Sequence, residues 1–346
     1  MIVRWIECVV GVAVVMPMAV AAASASLPGA AVQRAQQFSL QAGWNAIYLE
    51  VHPVDPDPAN LFAHTPIDVA AAVHSRPTPA QFVTQPSVDL FRREGWGVWY
   101  AGDRPDAFLG SLFAIHGQQA YLVHAKEAFS WSVTGLVVLE EVRWKPEAFN
   151  LVGFSVSESA PPTFDQFFRN SKAHAHNRIY RLVDGSWRKV ADPAAETMRS
   201  GEAFWIYCDG VSTYQGPLRV QAAGRRGLYL SGRAGDLILR NETSHPLEPT
   251  IEHLPLAGTQ LPLSILLQGV QDPSAPLRQI ATKKPAGSWR QDLPPLEADR
   301  AVRIPLAARV DEMAAHTQAS LIRISTDLGT VTWVPVVGIR EDLEEK

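Results

Sequence analysis

The chain has 346 residues, 47% of them hydrophobic, and this size and apolar content predict two or three domains with real hydrophobic cores. Its formal net charge is −4 at pH 7, so it has no basic field for a nucleic-acid backbone or an anionic membrane surface. The composition therefore argues against a nucleic-acid partner. Ten tryptophans and 26 prolines, with few long helical patterns, favour β structure joined by stiff loops.

Residues 1–25 have the pattern of a secretory signal peptide. Arg4 gives a short basic start, residues 9–20 are nearly all apolar, and residues 23–25 form a small-residue cleavage site. The apolar run is shorter than the roughly 20 residues of a bilayer span. We therefore expect export to the periplasm, cell surface or extracellular space, and no integral membrane protein after cleavage. A retained N-terminal anchor is the alternative.

Only Cys208 would remain after removal of the signal peptide. An exported chain with one cysteine forms no intrachain disulfide, so its stability must come from packing. We expect Cys208 to be a buried small hydrophobic residue.

A short segment near the start of the mature chain recurs further along. Residues 38–51 (FSLQAGWNAIYLEV) align with residues 148–156 (AFNLVGFSV), so that Trp44 matches Phe149 and Asn45 matches Asn150. Apolar residues alternate with smaller or polar ones after each pair, which is the period of a half-buried strand. A second match follows in the same order, between residues 117–123 (GQQAYLV) and 201–207 (GEAFWIY), and it contains Tyr121 and Phe204. The sequence therefore predicts a duplicated β unit with these aromatic rings in its core.

The repeat predicts two tandem β-rich units, each with a short helix, over residues 38–141 and 142–225, after a lead-in over residues 26–37. In the first unit, Asp57 and Pro58 predict a single helical turn. Residues 106–115 are the strongest helix prediction there, because Phe108, Leu109, Leu112 and Phe113 form one apolar stripe.

The second unit has its own helix and hairpin signals. Residues 163–170 predict a helix whose three phenylalanines share one face. Asp184 and Gly185 separate two short alternating runs and supply the positive φ angles of a tight hairpin turn.

From residue 226 the pattern changes to short alternating strands with turn signals between them. This is typical of an immunoglobulin-like β-sandwich, which we predict over residues 226–339. Residues 340–346 are a charged tail. The fold class expected for the whole chain is mainly β.

No sequence motif indicates catalysis. The chain lacks a Gly-x-Ser-x-Gly elbow, a His-Glu-x-x-His pair and a Gly-rich phosphate loop, so we expect no enzyme and no cofactor. His174 and His176 are spaced so that a strand would place both on one face, where they could share a metal. A third ligand is missing and the surrounding sequence has loop composition, so the preferred interpretation is an exposed polar loop.

Aromatic residues are the remaining candidates for binding. Rings on an exposed sheet face could stack on sugars or anchor a protein partner, but most are expected to fill the cores of small β units. Trp99 and Trp187 are the best candidates for exposed contact residues, because neighbouring glycines and charges leave one face open, and Tyr100 accompanies them. Asn45 and Asn150 are expected to be structural, with buried amides that bond backbone across a turn.

The segment Gly43-Trp44-Asn45 resembles the "GWN" repeats of exported bacterial surface and envelope proteins, over residues 36–220. The second copy departs from the motif, because Ala148-Phe149 replaces Gly-Trp. Residues 227–337 resemble the immunoglobulin-like tail modules of such proteins. The resemblance implies a binding or scaffolding role outside the cytoplasm and no catalytic residues.

Three functional hypotheses follow from the sequence. The first is an exported, non-enzymatic scaffold that presents aromatic-rich β faces to an envelope or extracellular protein. The second is a carbohydrate-binding module that uses the same rings on a polysaccharide. The third, which the sequence favours least, is a metal-dependent hydrolase centred on His174 and His176.

Overall fold

The computed structural model describes residues 32–74, 86, 94–224, 226–231, 234–256, 261–268, 279–283 and 287–340. The predicted signal peptide and residues 341–346 of the charged tail lie outside them. The described chain is mainly β, as predicted, and its sheets are antiparallel apart from one parallel strand pair. None of its helices has the length and apolar character needed to cross a bilayer.

The first unit contains two sheets. Its strands and helix are β1 (Gln33–Leu40), β2 (Gly43–Leu49), β3 (His52–Pro53), α1 (Pro58–Leu61), β4 (Ile67–Val73), β5 (Trp96–Tyr100), β6 (Gln119–Ala125) and β7 (Phe129–Leu136). One sheet has the order β2-β6-β4-β5 and the other the order β1-β7-β3. The α1 turn begins at Asp57, whose carboxylate accepts a hydrogen bond from the Ala59 amide, as the sequence predicts.

The second unit has one four-stranded sheet, of order β8-β11-β9-β10. Thr163 and Gln166 form a capping box at the start of its helix, and the three phenylalanines of that helix are buried. Asp184 and Gly185 have φ angles of 50° and 71°, which give the predicted hairpin turn. The elements are β8 (Ala148–Gly153), α2 (Phe164–Phe168), β9 (Ile179–Val183), β10 (Ser186–Lys189) and β11 (Ala203–Cys208).

The two four-stranded sheets have the same topology. Across each sheet, the strand that comes first in the chain lies at one edge and is followed by the fourth, the second and the third. A short helix lies between the first and second strands in the chain. The register also corresponds, because Ile47 pairs with Tyr121 in one sheet and Val152 pairs with Phe204 in the other. These are the positions that the sequence alignment places together.

The two sheets share one hydrophobic core. Their facing side chains form a single buried cluster of Ala46, Tyr48, Val69, Ala71, Val98, Tyr100, Ala120, Leu122, Phe149, Leu151, Trp187, Ala203 and Trp205. The backbones also meet, because the Tyr48 amide donates to the Gly201 carbonyl at 2.7 Å and Ile47 forms a β-bridge with Glu202. The two units are therefore halves of one sandwich.

The C-terminal part is a second sandwich with two five-stranded sheets, of orders β12-β14-β19-β16-β17 and β13-β21-β20-β15-β18. Leucine, isoleucine and valine side chains from both sheets form its core. Its strands are β12 (Leu218–Ala222), β13 (Leu228–Ser231), β14 (Gly235–Asn241), β15 (Pro249–Pro255), β16 (Leu263–Gln268), β17 (Gln279–Lys283), β18 (Trp289–Asp292), β19 (Ala301–Ala308), β20 (Thr317–Thr326) and β21 (Val331–Ile339).

The C-terminal sandwich packs against both units. Ala319, Leu321 and Val337 join the hydrophobic core of the first unit, and Arg34 lies over the Trp333 ring at 4.7 Å. On the second unit, the amide of Val331 donates to the Ser155 carbonyl at 3.1 Å. The C-terminal sandwich therefore packs on the first unit through apolar side chains and binds the second unit through a backbone hydrogen bond.

Two segment boundaries differ from the prediction. Strand β1 begins at Gln33, inside the predicted lead-in. The sequence did not reveal this start because the inward positions of the strand include the polar residues Arg34 and Gln36, which conceal the apolar alternation. Strand β12 falls inside the predicted second unit but pairs with β14 of the C-terminal sandwich.

The predicted helix over residues 106–115 does not form. Only a short 3₁₀ turn at Ala107–Leu109 is present. Leu112 is buried, whereas Phe108 and Phe113 point into solvent, so the apolar residues do not share one packed face. Leu109 and Leu112 pack against different cores, and Gly110 ends the 3₁₀ turn in an extended conformation.

Glycine at position 153 is required by the close approach of the two units. An added Cβ would overlap the Cβ and Cγ atoms of Tyr48 and would lie 2.6 Å from the Glu202 carbonyl oxygen. We predict that Gly153→Ala lowers the free energy of unfolding by about 2–3 kcal/mol, since overpacking a tight core costs this much. Gly102→Ala is the control, because nothing lies within 4 Å of a Cβ there. Urea denaturation of both variants tests this, and equal stabilities would contradict it.

Candidate functional site

The paired asparagines hold equivalent loops at the start of β2 and β8. Asn45 Oδ1 accepts from the Gln41 amide at 2.9 Å, and its Nδ2 donates to the carbonyls of Gln41 and Gly43. Asn150 makes the same pattern with Lys145 and Ala148. The predicted role of both amides in bonding backbone across a turn is confirmed, although Asn45 is only half-buried.

The rings predicted for the repeat core are mostly buried. Tyr121, Phe149 and Phe204 are all buried. Trp44 differs, because it is only half-buried. Its ring meets the edge of the His124 ring at a centroid distance of 5.3 Å and lines an open cleft. Trp44 therefore packs against the shared core and also lines the cleft, so the predicted core position holds only in part.

The three rings predicted as exposed contacts are not free surface residues. Trp187 is only 5% exposed and packs against Trp205 in the shared core, because the sheet of the first unit covers it. Tyr100 is also buried in that core. Trp99 is half-buried, with its ring 5.2 Å from that of Phe62. The geometry therefore gives no support to Trp99, Tyr100 and Trp187 as a binding surface.

His174 and His176 occupy different environments. His174 is buried, with Nδ1 2.6 Å from Ser171 Oγ and its ring 4.2 Å from the Trp144 ring, and burial lowers its pKa to about 4. His176 is exposed, and its Nε2 lies 3.5 Å from Asp209 Oδ2. The predicted exposed polar loop is therefore wrong for His174, which packs among aromatic rings. Within the described ranges, no group of three or more His, Cys, Asp or Glu residues could hold a metal ion.

Cys208 is buried on β11, as predicted. Its thiol donates to the Gly210 carbonyl at 3.3 Å, and burial raises its pKa to about 11. A thiol with a raised pKa is a poor nucleophile, so this residue has a packing role.

A buried charge cluster that sequence reasoning missed lies beside Trp44. Asp68, on β4, is buried and accepts from Arg104 Nη1 at 2.8 Å, and its other oxygen lies 2.6 Å from His124 Nδ1. Arg104 also binds Asp106 through two nitrogens, and this lowers the pKa of Asp106. A charged residue inside the apolar run IDVAAAV was the available signal.

Two further surface features were missed. The segment between β5 and β6, residues 101–118, carries Phe108 and Phe113, which are 83% and 80% exposed. An open cleft of about 1050 Å³ lies between the two units, and Trp44, Glu158, Asp184, Arg199 and Ser200 are among its lining residues. Neither feature has a local sequence motif.

Comparison with protein-family models and with curated proteins found no match to this chain. Among solved structures, the chain is similar to the ASH/PapD-like domain 7 of human CEP192, with 11% identity, coverage of 37% of this chain and 87% of that domain, and a TM-score of 0.21. It is also similar to the Enterococcus faecalis MSCRAMM ACE, whose title states that it binds its ligands by the collagen Hug model, with 10% identity, 90% coverage of both chains and a TM-score of 0.17. TM-scores this low do not demonstrate a shared fold, so the assignment of the sandwiches rests on their own strand pairing.

His174 makes the stability depend on pH. Its folded pKa of about 4 lies below the unfolded value of 6.5, so the unfolded state takes up the proton first as the pH falls. We predict that the free energy of unfolding falls by up to about 3 kcal/mol between pH 6.5 and pH 4 from this residue. His174→Phe should flatten that slope and His176→Ala should keep it, as measured by urea denaturation at each pH. A wild-type slope in His174→Phe would contradict the prediction.

Proposed function

We propose that this chain is an exported, non-enzymatic binding protein of the cell envelope or extracellular space. Its two sandwiches form a stiff support, and the segment 101–118 presents Phe108 and Phe113 to a protein partner. The observation that carries the proposal is the exposure of these two large apolar side chains on one anchored segment. The signal-peptide pattern of residues 1–25 supports export.

The segment 101–118 is anchored along its length. Arg104 binds Asp68, and the amides of Ser111 and Leu112 donate to the Val98 carbonyl at 2.7 and 3.0 Å. Ile115 is buried and its amide donates to the Pro56 carbonyl at 2.8 Å. Because the backbone is already fixed, binding would cost little further ordering entropy.

The two phenylalanines supply the driving force for docking. Full burial of one such side chain contributes about 1.5–3 kcal/mol. Solvent-facing aromatic residues on a fixed backbone are the usual anchors of protein interfaces. A partner with apolar pockets would cover these rings.

We predict that Phe108→Ser combined with Phe113→Ser abolishes capture of a specific partner from the envelope fraction of the source organism. Affinity purification with quantitative mass spectrometry provides the measurement. Val211→Ser is the matched control, because Val211 is 86% exposed but lies on another loop. The proposal fails if both variants and the parent chain capture the same proteins in the same amounts.

A further inference from the structure

The cleft between the two units has fixed walls. One wall is the turn between β1 and β2, with residues 37–47, and the other is formed by the Asp184-Gly185 turn and residues 197–202. At the base, Gly201 and Glu202 are bonded to β2 through the Tyr48 amide and the Ile47 bridge. Its volume of about 1050 Å³ lies at the upper end of the range for small-molecule sites, which is roughly 300–1,000 Å³. The cleft can therefore hold a ligand of several linked units.

Trp44 is held in position at this cleft. Its neighbour Asn45 bonds the Gln41 and Gly43 backbone and so fixes the turn that carries it. Its ring packs against that of His124 in a T-shaped arrangement, and His124 faces it across the β2–β6 pair. His124 is in turn held by buried Asp68. This gives a half-exposed indole whose orientation is set before any ligand arrives.

The remaining lining is mixed, with apolar residues such as Phe38 and Leu182 beside polar ones. Gln37, Ser39, Gln41, Ser157 and Ser200 provide amides and hydroxyls. Among the charged lining residues, Glu202 is paired with Arg181 and Asp184 with Arg188, and Glu158 and Arg199 have opposite charges. This near-balance of charge gives neither an anionic nor a cationic ligand an electrostatic advantage. An aromatic platform with surrounding amide and hydroxyl groups suits a ligand with apolar ring faces and many hydroxyls.

We propose that this cleft binds a neutral oligosaccharide, with one pyranose ring stacked on Trp44. The site goes beyond the protein-docking role, because it uses the opening between the two units and none of the residues of segment 101–118. A chain with both sites would connect a polysaccharide to a protein partner. The two proposals fail independently, because neither the Trp44 nor the Phe108 variants alter the other surface.

Calorimetric titration with defined hexasaccharides tests the site. The probes are the neutral hexamers of β-1,4-linked glucose and β-1,4-linked N-acetylglucosamine, with a galacturonate hexamer as the anionic comparison. At least one neutral hexamer should bind, and the anionic hexamer should bind no more tightly. Trp44→Ala should weaken binding by about tenfold or more, which corresponds to about 1.4 kcal/mol, and Trp44→Phe should recover part of it.

Two controls keep the test decisive. Ser200→Trp fills the cleft without altering Trp44, so it should also abolish binding. It therefore provides a second test of the site in case Trp44→Ala is poorly folded. Phe108→Ser should bind the hexamer as the parent chain does. The proposal is overturned if no neutral hexamer binds at millimolar concentration. It is also overturned if Trp44→Ala and Ser200→Trp bind the neutral hexamer as the parent chain does. Binding of a proline-rich peptide in the cleft in place of the sugars would overturn it as well.

Discussion

The structure depends on the face-to-face packing of two four-stranded sheets that neither unit could cover alone. Each sheet presents large side chains to the other, and Trp187 and Trp205 of one unit lie in the same cluster as Leu122 of the other. Burial of apolar area on this scale is the main stabilising contribution, because Cys208 is a free thiol in the part of the chain that the structure describes. The close contact of Gly153 with Tyr48 sets how near the sheets approach.

Much of the local structure could be predicted from the sequence, because short-range rules determine it. The match of Asn45 with Asn150 predicted two equivalent loops, and the strand register agrees with the alignment at Tyr121 and Phe204. The Asp184-Gly185 turn and the helix after Thr163 also follow from local chemistry. The turn and the helix cap depend only on residues close in sequence, whereas the register could be predicted because the repeat aligns the paired positions.

The features that required the structure depend on contacts between distant residues. Trp187 was predicted to be exposed because its neighbours are glycine and charged residues, yet a sheet from another unit covers it. Phe108, Leu109, Leu112 and Phe113 had helical spacing, but the two leucines pack against different cores and both phenylalanines are exposed. Asp68 binds His124 and Arg104, which lie 56 and 36 positions further along the chain. Neither the period of the hydrophobic residues nor the composition of the chain shows which surfaces pack together. The rings predicted as exposed contact residues were therefore wrong, whereas the predicted fold class was right.

The proposed function uses the sandwich as a support with two distinct surfaces. One is the anchored segment with Phe108 and Phe113, and the other is the cleft with Trp44. The buried Asp68 is one of the contacts behind each, because it binds Arg104 on the segment and His124 beside the tryptophan. Asp68 therefore joins the two candidate surfaces through one carboxylate.

The shared cluster makes the two repeat units one cooperative core. Native-state hydrogen exchange of the central strands β6 and β11 measures this directly, because amides that open together share one free energy of opening. A single cooperative core predicts the same free energy of opening for the amides of Leu122 and Trp205. A β6 that opens at a clearly different free energy from β11 would show two separately folding units and contradict it.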